Sequence, residues 1–228
     1  MQHDADMFER LARPLRGMLQ RHRVDADASG DRLGLAARRA PSVEFVAYAE
    51  DCILSGRVRL DAERLTDMLN QRNEIMLSDV MVERHDAAGT VEICEILVAR
   101  DEILLAQATG PRGSQARRRR TRQHPLVLRV GPYQVHGYFH ERPGLDPLVA
   151  ILRRQVMVPI TDAWIEYPTD VGPHRVRVGA ILVNRDHIAG VAHGDEQDIL
   201  MPDLRVPTDQ GPLLKDFGGV ILGDPSAR

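Results

Sequence analysis

The chain has 228 residues, 43% of them hydrophobic, and a formal net charge of −3. It is long enough for two small domains with real cores, and it is not the broadly basic protein that general nucleic-acid binding requires. No apolar run approaches the ~20 residues of a membrane helix, and Asp4, Asp6 and Glu9 stand where a secretory leader would be basic and then apolar, so the expected compartment is the cytoplasm.

In chain order, residues 1–41 form a leading segment. Met7, Phe8, Leu11, Leu15, Met18 and Leu19 recur at helical spacing with Arg10, Arg13, Arg16, Arg21 and Arg23 between them, which predicts a basic amphipathic helix kinked by Pro14. Such a helix either covers the rim of the first domain or docks on anionic lipid or a partner. Residues 24–41 mix Asp, Ala, Gly and Arg without periodicity and read as a linker.

Residues 42–107 then introduce a pattern that residues 125–192 repeat. Ile96-Leu-Val-Ala-Arg-Asp-Glu-Ile103 recurs as Ile181-Leu-Val-Asn-Arg-Asp-His-Ile188, and Leu77–Glu83 pairs with Ile160–Glu166. Leu65 and Leu69 match Leu148 and Leu152, and Gly56 matches Gly137. A duplicated unit of roughly 65 residues sets the architecture before any local reading.

In the first copy, Val43–Tyr48 and Cys52–Leu60 read as strands, and Asp61 as the N-cap of a short helix bearing Leu65, Met68 and Leu69. Glu74–Glu83 is extended again, and Val91–Ala99 with Glu102–Gln107 predicts a closing hairpin around Arg100-Asp101. In the second copy, Leu126–Val130 and Tyr133–His140 flank a Gly131-Pro132 turn, Gly144–Arg153 is the helix, and Val156–Tyr167, Arg175–Val183 and His187–Val191 are the last strands. The fold expected is mainly β with short helices: two tandem small five-stranded antiparallel barrel-like units related by internal duplication. Residues 193–228 read as an ordered but irregular tail, its Leu213, Leu214, Phe217, Val220, Ile221 and Leu222 available to dock on a barrel or another subunit.

Residues 108–124 join the copies and hold the sharpest charge feature. Arg112, Arg117, Arg118, Arg119, Arg120 and Arg122 occur there without an acid, enough to neutralise several phosphates, although no aromatics are interleaved for base stacking. A contact with nucleic acid, a contact with an acidic partner and a solvated linker are the readings. Because Lys215 is the only lysine, GC-rich coding also accounts for arginine runs.

Catalytic signals are sparse. His136 and His140 share one strand face with Glu141 adjacent, but the first copy has Ser55 and Arg59 there and no third ligand is obvious, so two surface histidines are the plainer reading. No nucleophile elbow, phosphate-binding glycine loop or zinc spacing occurs, and no cofactor or metal is expected. Cys52 and Cys94, lacking CxxC spacing, read as small buried hydrophobes. Trp164 and Tyr138 are expected in the second core. The Arg-Asp turns read first as turn chemistry, with Asp accepting backbone N–H groups and Arg reaching a carbonyl or carboxylate.

Gly56-Arg-Val58, Asp67-Met-Leu-Asn70, Leu77-Ser-Asp79 and Val98-Ala-Arg-Asp-Glu-Ile103 resemble the order of signals in Sm/LSm-like small barrels. The resemblance implies a strongly bent five-stranded barrel, ring or tandem assembly, and uridine-rich RNA held by Asn70 and Arg100 in the first copy and Arg185 in the second. Asp101 and Asp186 replace the glycine that follows the arginine in that family, Arg153 stands at the second-copy position of Asn70, and a helical segment separates strands that the family joins directly. The leading expectation is a non-catalytic module that binds or assembles with another macromolecule, a protein partner or further copies of itself. The alternative is an RNA- or single-stranded-nucleic-acid-binding protein using Arg117, Arg118, Arg119, Arg120 and Arg122 together with Arg100 and Arg185.

Overall fold

The computed structural model describes residues 40–85, 89–111, 120–169, 172–196, 199 and 220–221. The expected leading helix, most of its linker, Arg117, Arg118, Arg119 and most of the tail lie outside the described residues. The chain divides into two compact units, the first reaching Ile103 and including Thr109–Pro111, the second comprising Leu104–Ala108 and everything from Arg112 onward. None of the described helices is long and apolar enough to cross a membrane.

In the first unit, β1 (Ser42–Tyr48), β2 (Cys52–Arg59), β3 (Glu74–Arg84) and β4 (Thr90–Ala99) pair antiparallel in chain order. Helix α1 (Leu65–Gln71) bridges β2 and β3 and buries Leu65, Met68 and Leu69. Each of these side chains contributes about 1.5–3 kcal/mol when fully removed from water. They join Phe45, Leu54, Leu77 and Val98, all 0% exposed except Leu65 at 2% and Met68 at 1%. The expected cap is corrected here: Arg64, not Asp61, precedes the helix, and it makes no side-chain capping bond. Asp61 instead forms an ion pair with Arg72, just beyond the helix end.

One position bends the sheet. Along β3 the buried residues are Ile75 and Leu77, then Val80 and Val82, so the inward period slips from two to three at Asp79. Asp79 holds left-handed backbone at φ 52°. The register of β2 against β3 shifts there, with Asp79 and Val80 opposite Gly56. This is a β-bulge, and the extra residue lets β3 keep one apolar face inward on both sides of the bend. The opposing glycine leaves room for the bend, because a Cβ on Gly56 would lie 3.0 Å from the Ser78 carbonyl oxygen.

The second unit repeats the device. Its own-copy strands are β6 (Arg122–Val130), β7 (Tyr133–Glu141), β8 (Met157–Thr169), β9 (Gly172–Asn184) and β10 (Ile188–His193). Asp162, at φ 50°, occupies the bulge on β8, and Gly137 faces it from β7 with no room for a Cβ: Ile160 Cγ2 would be 2.5 Å away. Helix α2 (Pro147–Leu152) is shorter than expected, starting after Asp146, whose carboxylate accepts the Leu148 N–H at 2.9 Å. Proline at the first helical position suits it, since that N–H has no intrahelical partner.

Both expected closing hairpins are corrected. Arg100–Glu102 and Arg185–His187 are single 3₁₀ turns that redirect the chain rather than fold it back. Accordingly β10 pairs with β6, not β9. The strand that ends the first copy, β5 (Leu105–Gln107), pairs with β9 of the second, Leu105 opposite Val183 and Gln107 opposite Ile181. Hydrogen bonds from Asn184 N to Leu104 O (2.9 Å) and from Ala108 N to Ala180 O (3.1 Å) extend the pairing at both ends. A two-residue strand, β11 (Val220–Ile221), pairs with the other side of β10. The second unit is therefore an open antiparallel order β11-β10-β6-β7-β8-β9-β5.

Candidate functional site

The two repeated arginines do the same local job. The Arg100 N–H donates to the Asn73 carbonyl at 2.7 Å, and the Arg185 N–H to the Val156 carbonyl at 2.7 Å, positions that the duplication makes equivalent. Their guanidinium groups reach the loop that leaves the helix: Arg100 Nη1 donates to Arg72 O at 3.4 Å, and Arg185 Nη1 donates to Arg154 O. Arg185 also pairs with Asp186 at 2.8 Å. Each arginine thus pins a helix–strand loop to a 3₁₀ turn. Asn70 is also locally engaged, its Nδ2 donating to Thr66 O at 2.9 Å.

In the second unit, Arg185 belongs to a larger polar chain. Arg154, whose carbonyl it holds, forms an ion pair with Glu141 at 2.9 Å and donates to His140 O at 3.1 Å. The Glu141 side chain is only 6% exposed, and its other oxygen accepts the Arg142 N–H at 2.7 Å. Glu141 stands opposite Arg122, the first residue of β6, in the strand register. Arg120 and Arg122 are exposed, as are Arg142, Arg153 and Arg154. Together with exposed Leu145 and Val149 of the α2 segment, Arg142, Arg153 and Arg154 line a shallow groove. It offers cationic hydrogen-bond donors beside apolar surface. Arg100 lies in the first unit, and the remaining predicted arginines lie outside the described residues.

His136 and His140 are each engaged with a neighbouring polar side chain. His140 Nε2 is 2.7 Å from Thr161 Oγ1, and His136 Nε2 is 3.0 Å from the Gln134 amide nitrogen. The carboxylate of Glu141 is taken up by Arg154 and its own chain, and among the described residues no cluster of three His, Cys, Asp or Glu side chains could hold an ion. Burial lowers the His140 pKa, with the Asp162 charge acting in the opposite direction.

The cysteines part company with expectation. Cys52 is buried, and desolvation, reinforced by Asp51, pushes its thiol up to about 12, so it stays protonated. Cys94 is exposed, which corrects its reading as a core residue. It lies on β4 level with the bulge residue Asp79, between Ile93 opposite Val80 and Glu95 opposite Ser78. Trp164 and Tyr138 are half-buried rather than central. The indole N–H donates to Ile199 O at 2.9 Å, and the Arg177 guanidinium sits 5.6 Å from the ring centre.

A further feature escaped the sequence reading. β4 ends the strand order on the first unit's side: its inner edge is bonded to β3, and no described strand pairs with its outer edge. Ten residues long, it carries exposed Glu92 and Glu95, the kind of charge that guards an open edge from indiscriminate pairing. Alternation alone cannot show which strand is outermost, so the sequence held no direct signal of it. No family model matches the chain, and neither the curated proteins nor the solved structures contain a match to it.

Proposed function

We propose that the chain is a non-catalytic binding or assembly module that engages another macromolecule by strand addition at the outer edge of β4. The ten-residue edge that no described strand pairs is the observation that carries this reading. The outward N–H and C=O groups, which no described strand pairs, are a template for an added strand, and main-chain bonding of that kind supplies affinity without a deep pocket. We also read each repeat as a small barrel-like unit, and the support is the matching Gly–Asp bulge that bends each sheet at the same place. Hydrogen exchange on the full chain tests the binding reading. Amides of Thr90–Ala99 that face outward should exchange fast in dilute protein and slow markedly in concentrated protein or in extract of the native cell. Exchange that stays fast in both, or that is already slow in the dilute monomer, overturns it.

A second reading is favoured by the exposed arginines around the α2 groove: single-stranded nucleic acid held through Arg120 and Arg122 with the adjoining linker arginines. It predicts oligonucleotide affinity that falls steeply with salt and weakens when Arg117–Arg120 are replaced by serine. Binding that is absent at moderate salt, or unmoved by those replacements, removes it.

A further inference from the structure

The duplication tells what belongs on the β4 edge. In the second unit, the strand equivalent to β4 is β9, and its outer edge is filled: β5 lies along it with Leu105 opposite Val183, Ala106 opposite Leu182 and Gln107 opposite Ile181. The receiving residues Ile181-Leu-Val183 are repeated without change as Ile96-Leu-Val98 in β4. All three are fully buried in β9, whereas Leu97 of β4 is only half-buried. The strand equivalent to β5 is β10, because Ile103 corresponds to Ile188. Among the described residues there is thus one filled copy of this joint, one receiving edge along which no described strand lies and one strand of the inserting kind.

The inserting strand is not bare. On the side of β10 away from β6, the tail strand β11 pairs antiparallel, Ile221 opposite Gly190 and Val220 opposite Val191. Transferring the β5–β9 register to β10 and β4 puts Val98 opposite Gly190 and Leu97 opposite Val191. Those are the two positions that Ile221 and Val220 occupy. A two-residue apolar strand therefore stands where the Glu95–Ala99 end of β4 would fit.

We propose that copies of this chain join head to tail, β4 of one pairing antiparallel with β10 of the next in the register Val98–Gly190, Leu97–Val191, Ile96–Ala192, and that the tail strand Val220–Ile221 is an internal stand-in displaced on assembly. The inference rests on the strand-addition reading and names its partner as a second copy. In this register Glu95 faces His193, both exposed, so an acceptor carboxylate meets an imidazole across the strands. The two patches differ, so the contact is heterologous and generates a ring or a filament.

Register-specific cross-linking of the full chain tests it. Two variants in a Cys94→Ser background, Glu95→Cys and His193→Cys, alter exposed side chains, and the remaining Cys52 is buried. Mixed under mild oxidation, they should give a covalent dimer that neither gives alone, in several-fold greater yield than an off-register pair of Glu92→Cys and His193→Cys. Adding Val220→Pro, which removes a donor from the tail strand, should raise that yield and lower the concentration at which the uncross-linked chain self-associates. Equal yields in and out of register, or a chain that stays monomeric at high concentration with and without Val220→Pro, overturns the proposal. If β4 amides nevertheless become protected in cell extract, strand addition stands and its partner is another protein. If they are protected in neither condition, both readings fall together.

Discussion

Asp79 and Asp162 hold backbone in the left-handed region at φ 52° and 50°, where a Cβ is ordinarily costly and where Asp and Asn are tolerated better than most residues. Replacing either by alanine keeps the Cβ and removes the polar side chain, whereas glycine removes the conformational penalty. Asp79→Ala and Asp162→Ala should therefore be less stable than the matching glycine variants by about 1 kcal/mol, read from urea midpoints at constant slope. The opposite ranking would mean that the carboxylates, not the bulge geometry, are what the duplication retained. The facing glycines behave the other way. Gly137→Ala should destabilise by about 1–3 kcal/mol through overpacking, and more than Gly56→Ala, because its Cβ would lie 2.5 Å from Ile160 Cγ2 against 3.0 Å from a backbone oxygen at Gly56.

His140 gives this scale its pH dependence. Burial holds its folded pKa below the ordinary imidazole value, so below about 6.5 the unfolded chain takes up a proton before the folded one does. The stability associated with the neutral ring is complete above that pH and is lost as pH falls toward the folded value. Denaturant midpoints measured from about pH 7.5 to about 5, on either side of the imidazole value, should decline as pH falls, and His140→Gln should flatten the decline. An unchanged slope in the variant would assign the decline to other groups.

At the level of elements, the sequence was legible wherever one strand or helix could be read by itself. The leucines of α1, the Gly131-Pro132 turn and nearly every strand core fall where periodicity puts them, because period-two burial is a local property. Pairing was not legible. Arg100-Asp101 and Arg185-Asp186 sit between two apolar strands and satisfy every local rule for a hairpin, yet each forms one 3₁₀ turn. That turn swings the following strand off its predecessor and onto a different neighbour. The slip from Leu77 to Val80, and its echo from Ile160 to Ala163, was visible in the text as a change of apolar spacing from two to three. As for the candidate site, the Arg-Asp turns were found, but their guanidinium groups serve loop carbonyls, while the open edge of β4 and the α2 groove depend on which strand is outermost and on where the chain places Leu145 and Val149.

For the whole molecule, the decisive fact is that the copies in sequence are not the compact units in space. Leu104–Ala108 ends the first copy yet belongs to the second unit, where Leu105 is 0% exposed and bonded alongside β9. Its burial is tight: Leu104 Cδ1 would lie 2.7 Å from a Cβ placed on Gly131. Leu105→Ala should then cost roughly 2–5 kcal/mol, the usual range for a buried leucine, and the loss should appear in the second unit. Trp164 is the chain's single tryptophan and lies on β8, the neighbour of β9, so its fluorescence reports that unit alone. A lowered midpoint by Trp164 fluorescence, with faster amide exchange along Gly172–Asn184 and little change along Thr90–Ala99, is the expected result. If exchange along Gly172–Asn184 stayed unchanged, β5 would not be what holds β9, and the filled joint from which the head-to-tail register is drawn would lose its basis.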